Sequence, residues 1–150
     1  MLSNTYPLET DNSNAVFTFC SEGKNGAICK VILFEELDDE PGVFNLGFGD
    51  IDAQSGKLDD QARSNNGDMD KVLSTVAVAI LQFISTNQDA VIFAAGSTSA
   101  RNRLYSLMIS RFWNIVNDVF EIQGYIPLLG WEPFRPNQPY ISFQAKLWQK

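Results

Sequence analysis

The sequence predicts an α+β domain, an antiparallel-rich sheet with two main helices in the order ββ(β)β-α-β-α-β-β(β). Three observations predict it. Apolar residues alternate with a period of two at both ends of the chain, two central segments repeat them at three and four, and Pro, Gly and Asn clusters separate the pieces.

Residues Val16 to Ser21 set Phe17 and Phe19 on one face and Val16, Thr18 and Cys20 on the other, and Ala27 to Glu35 alternates likewise. Glu22-Gly23-Lys24-Asn25-Gly26 between them carries Asn-Gly, a hairpin signal, so the two strands should pair. A turn centred on Lys24-Asn25 sets Cys20 opposite Cys29; one centred on Asn25-Gly26 sets Glu22 there and staggers the thiols. In either register the thiols are expected to be buried and inert. Asp38 to Gly42 is turn chemistry, and Val43 to Phe48 alternates as a third strand.

Residues Asp50 to Asp68 lose apolar periodicity and form the longest loop expected in the chain, a length that raises its functional weight. Apolar positions at Met69, Val72, Leu73, Val76, Ile80, Leu81, Phe83 and Ile84 predict a largely buried helix, capped by Asn66 or Asp68. Ala90 to Ala95 is a short apolar run suited to a central strand. A second helix is expected from about Ser99 to Asp118, with Leu104, Leu107, Met108, Phe112, Ile115, Val116 and Val119 on its apolar stripe and Asn102 and Arg103 off it. Phe120 to Ile126, Trp131 to Phe134 and Tyr140 to Trp148 read as closing strands.

With 150 residues, 45% hydrophobic, one core can bury most of the apolar surface, and a single domain over 1–150 is expected. A net charge of −7 excludes a broad electrostatic grip on nucleic-acid backbones. Two cysteines are too few for a disulfide scaffold or a thiolate zinc site, which suits a reducing compartment. The start of the chain has no basic-then-apolar leader, and no run reaches the length of a membrane span, so a cytoplasmic protein without membrane contact is expected. Histidine is absent, which removes the commonest general base and the Ser-His and Cys-His pairs.

Two polar constellations remain. Asp50, Asp52, Asp59, Asp60, Asp68 and Asp70 form an oxygen-rich set of the kind that holds Mg²⁺ or Mn²⁺, but their spacing matches no calcium loop, and a solvated acidic loop is the simpler reading. No metal or other cofactor is assigned. In the second, Gly96-Ser97-Thr98-Ser99 opens a helix bearing Arg101 and Arg103, where amides, hydroxyls and guanidinium groups suit a phosphate or carboxylate. It matches neither a P-loop nor a dinucleotide fingerprint. The alternative is a Ser97 or Thr98 cap with an arginine paired to an aspartate of the acidic loop. Trp113, Tyr125, Trp131, Tyr140 and Trp148 are better explained by packing and edge protection than by base stacking, because no Lys/Arg pattern accompanies them.

The words FNLGFGD (Phe44 to Asp50), SNNGD with DKVLSTVA (Ser64 to Ala77) and GSTSARNRLY (Gly96 to Tyr105) resemble the DUF6934 family, small uncharacterised bacterial proteins found mainly in Bacteroidetes. Family members more often carry Thr at Asn102 and Ala at Ser74. The resemblance covers nearly the whole chain and implies that Ser64, Asn65, Asn66, Asp68, Ser97, Thr98, Arg101 and Arg103 belong to one family pattern of ligand-binding candidates. It brings no activity with it.

The function expected from this reading is a non-catalytic binding module, as in toxin–antitoxin or mobile-element systems. Its partner would be a protein, a phosphate-containing small ligand or a short nucleic acid. A Mg²⁺- or Mn²⁺-dependent phosphoesterase or nuclease-like enzyme is the alternative, and a purely structural role for both polar motifs the third.

Overall fold

A computed structural model describes residues 4–11, 13–51, 55, 58–59, 66–96 and 98–148, with backbone alone at 58 and 59. It is an α+β protein: β1 (Glu9–Thr10), β2 (Val16–Gly23), β3 (Gly26–Leu37), β4 (Glu40–Ile51), β5 (Leu58–Asp59), α1 (Met69–Thr86), β6 (Val91–Ala94), α2 (Ser99–Arg111), α3 (Trp113–Val119), β7 (Phe120–Ile126), β8 (Gly130–Pro133) and β9 (Ser142–Leu147). The chain forms two compact units, Met1–Glu35 with Gly47–Thr86, and Glu36–Leu46 with Asn87–Lys150.

In the first unit β1, β2 and β3 pair in that order, antiparallel throughout, and the end of β4 pairs with β5. The β2–β3 turn is Lys24-Asn25, which resolves the two registers open in the sequence: Cys20 lies opposite Cys29. Alternation sends Phe17, Phe19 and Ser21 inward from β2, and Lys30, Ile32 and Phe34 inward from β3. The cysteines consequently lie on the outer face. Both are exposed, which corrects the expectation of buried thiols: alternation with Phe17 and Phe19 assigns them to the face away from the core.

Helix α1 packs Val72, Leu73, Val76, Ala77, Ala79, Phe83 and Ile84 into this unit's core, while Met69, expected on the same stripe, is exposed in the first turn. Phe83 stacks on Phe34 at 4.1 Å between ring centroids, and Phe17 meets Phe34 edge-on at 6.1 Å. Each fully buried Phe contributes about 2 kcal/mol relative to exposure. By length and composition α1 is apolar enough to cross a membrane, a test that core helices also pass.

In the second unit the start of β4 runs parallel to β6, and β6, β9, β7 and β8 follow as antiparallel neighbours. The expected central strand is therefore β6, flanked by β4 and β9. Gly124 in β7 lies beneath the Tyr140 ring; a Cβ there would come within 2.5 Å of a ring carbon, so the ring's seat requires glycine. The single helix expected over Ser99 to Asp118 is two, α2 and α3, broken at Phe112 with φ −104° and ψ 22°. Apolar spacing at three and four continues across a one-residue break, so periodicity does not register it. Beyond the break Trp113 packs on Phe134 at 5.7 Å. Leu107, expected on the stripe, is 38% exposed, whereas Asn102, expected off it, is buried.

Candidate functional site

The first polar constellation centres on Asp68, immediately before α1, whose backbone carbonyl accepts the Val72 N–H at 3.0 Å. One carboxylate oxygen of Asp68 accepts from the Tyr6 hydroxyl and from Ser21 Oγ, both at 2.5 Å. Ser21 Oγ in turn accepts from Asn66 Nδ2 at 3.1 Å. Asn66 also donates to the Gly26 carbonyl at 2.8 Å and accepts the Asn25 amide at 2.7 Å, so its side chain is bonded along the β2–β3 turn. The approach is close: a Cβ on Gly23 would fall 2.0 Å from the Asn66 carbonyl oxygen.

Tyr6 ties the same parts together. Its amide donates to Thr75 Oγ1 of α1 at 2.9 Å, its hydroxyl accepts the Glu22 amide at 3.0 Å, and its ring stacks on Phe19 and lies under the Lys71 ammonium. On the same inner face, buried Lys30 pairs with Asp50 at 2.5 Å. Lys30 and Thr75 were not singled out in the sequence. The signal for Lys30 was there, since the alternation that buries Ile32 and Phe34 buries Lys30 too.

These contacts limit the chemistry. Burial pushes the Asp68 carboxyl up, but hydrogen bonds from Ser21 and Tyr6, the backbone and the Lys30 charge outweigh it and hold the group below the usual carboxylate value. A carboxylate so stabilised is a weak general base. Ser21, its hydroxyl neighbour, is fully buried, so no substrate reaches a nucleophile there. Asp50 and Asp68, two of the expected metal-ligand set, are engaged by Lys30 and by hydroxyls. Asp52 and Asp60 lie outside the described residues, as do Ser64 and Asn65, and the Asp59 side chain is not described. Among the described residues no group of three or more acidic or cysteine side chains is placed to hold a metal.

The second constellation, in the other unit, is a capped helix start. Thr98 is the N-cap of α2, as the sequence allowed: its Oγ1 accepts the Arg101 amide at 3.1 Å and its carbonyl the Asn102 amide at 3.1 Å. The buried Asn102 side chain reaches back and accepts the Gly96 amide at 2.7 Å. The first stem carbons of Arg101 cross Gly96 so closely that a Cβ there would meet them at 2.6 to 2.7 Å. Arg101 is half-buried and Arg103 exposed; Ser97 lies outside the described residues. Two of the amides that an anion would use are already taken.

A third feature went unread in the sequence. Tyr140, buried against Phe134 and Phe143, donates its hydroxyl to Glu132 at 2.6 Å and accepts the Arg135 amide at 3.0 Å; Glu132 also pairs with the Arg135 guanidinium. Burial, then the Glu132 hydrogen bond, pushes the Tyr140 phenol up. Just before Glu132, the turn joining β7 and β8 holds Leu128 and Leu129 out in solvent, with Trp131, half-covered by Tyr125 and Phe93, beside them.

Fold and site together define a small α+β protein in which Asn66 and Asp68 of the family pattern bond to β2 and the β2–β3 turn and Thr98 caps α2. The chain belongs to a family of unknown function, DUF6934, whose model matches residues 2–147. No curated protein and no solved structure matches it significantly.

Proposed function

We propose that this protein is a non-catalytic binding module that docks a basic protein partner through the Pro127–Gly130 turn. One observation carries the reading. Leu128 is fully exposed, at 102%, in a left-handed backbone conformation with φ 72°, and Leu129 beside it is 77% exposed. A non-glycine residue held there costs about 1 to 3 kcal/mol, and an exposed leucine returns nothing to folding. A partner that covers the turn supplies the missing burial.

Charge favours a partner over a second copy. Two chains of net charge −7 repel each other, whereas a protein of opposite charge is drawn in and oriented. A toxin–antitoxin or mobile-element pair, two small chains made to bind each other, is one such setting. The enzyme reading has less support, given the buried Ser21 and the engaged Asp50 and Asp68.

The test uses Leu128→Gly with Leu129→Ser. Glycine relieves the strained φ, so the variant should melt no lower than wild type, while capture of a basic protein from the native host should be lost. Equal capture by both proteins, or a captured protein that is acidic, overturns the proposal.

A further inference from the structure

The first unit carries a separate feature on the face of the sheet away from its core. Cys20 and Cys29 face each other across the β2–β3 ladder, both exposed, with their Sγ atoms 2.7 Å apart. In this ladder the Phe34 amide donates to the Ala15 carbonyl at 2.8 Å, and pairs alternate from there, so Cys20 and Cys29 occupy a non-hydrogen-bonded pair. Such pairs bring Cα atoms to about 4.5 Å and side chains closest together. That separation lies inside the range of roughly 4.4 to 6.8 Å that a disulfide spans.

We propose that Cys20 and Cys29 form a thiol–disulfide exchange site that takes small disulfides and closes reversibly into a cross-strand disulfide. The thiolate of one cysteine attacks a sulfur of the small disulfide, forms a mixed disulfide and expels the first small thiol. The second cysteine then attacks the protein sulfur and expels the other small thiol. Two electrons and two protons pass from the protein to the small disulfide, and no further oxidant is needed. Both sulfurs already face each other in solvent, so the second step needs little backbone movement. The Cys20 thiol is pushed up by its hydrogen bond with Cys29, then by burial, the Cys29 charge and the Glu9 and Glu22 carboxylates, which slows attack by the Cys20 sulfur at neutral pH.

The experiment equilibrates the folded, full-length protein with graded ratios of reduced to oxidised glutathione, blocks free thiols by alkylation and reads the intact mass. The expected result is a species lighter by two hydrogens, in which both thiols disappear together, restored by dithiothreitol. Cys29→Ser should instead accumulate one glutathione adduct at Cys20. Adducts on both cysteines of the wild type without an internal bond, disulfide-linked dimers, or two alkylatable thiols that stay reduced in excess oxidised glutathione each overturn the proposal.

Discussion

The two units solve the same local problem with opposite materials. In each, a buried tyrosine ring carries its hydroxyl to a carboxylate and accepts one backbone amide: Tyr6 with Asp68 and the Glu22 amide in the first, Tyr140 with Glu132 and the Arg135 amide in the second. The carboxylates differ in their surroundings. Asp68 also takes Ser21, lies beside the fully bonded Asn66 and stands at the positive end of α1, whereas Glu132 is answered by an arginine three residues on, with its guanidinium largely in water. A hydrogen bond to a carboxylate is strong where its partners have no water to fall back on, and weak where they do. The first pair should therefore hold its unit together, and the second should trim a hairpin.

Removing each carboxylate is the sharpest way to break that contrast. Asp68→Ala leaves the Ser21 hydroxyl without its carboxylate and the Tyr6 hydroxyl with only the longer 3.1 Å bond to the Glu22 carbonyl, and a loss of about 2 kcal/mol in urea unfolding is expected, with Asp68→Asn in between. A loss below about 0.5 kcal/mol would mean that water replaces the carboxylate and that the network is ornamental. Tyr6→Phe removes one donor and one acceptor and should cost about 1 to 2 kcal/mol, more than Tyr140→Phe measured alongside it.

The dependence on pH follows from the same groups. The Asp68 carboxyl is lower in the folded chain than its ordinary 3.8, so its contribution is complete above that value and is lost as pH falls through the lower folded one. The Tyr6 phenol, raised by burial and then by Asp68, and the Tyr140 phenol, raised by burial and then by Glu132, lie above the ordinary 10.0. Their contribution is complete below 10.0 and is lost as pH rises through the folded values. Melting temperature against pH should fall at both ends, and Tyr6→Phe and Tyr140→Phe should each flatten the alkaline fall. The smallest effect expected is that of Glu132→Gln, a barely measurable change in melting temperature that shrinks further in high salt.

Much of this architecture was legible residue by residue. The alternation of Phe17, Phe19, Phe44, Leu46 and Phe48 and the helical spacing from Val72 to Ile84 name their elements correctly, because those signals are local and repeat many times. The site was legible only in outline. Asn66, Asp68 and Thr98 stood out as polar residues at helix starts, yet nothing local reveals that Asn66 bonds to a turn forty residues earlier, that Tyr6 closes on Asp68, or that Asn102 turns inward to Gly96.

By itself the sequence determined the fold class, the two helical segments, the alternation of the first hairpin and the absence of histidine chemistry, all properties of composition and short-range period. Tertiary structure alone decided the register that sets Cys20 against Cys29, the break at Phe112, the parallel β4–β6 pair and the partners of Asp68. The physical reason is distance along the chain or competition between close alternatives. Two turn registers one residue apart satisfy the same local preferences, and a carboxylate meets its hydroxyls only after strand and helix have packed.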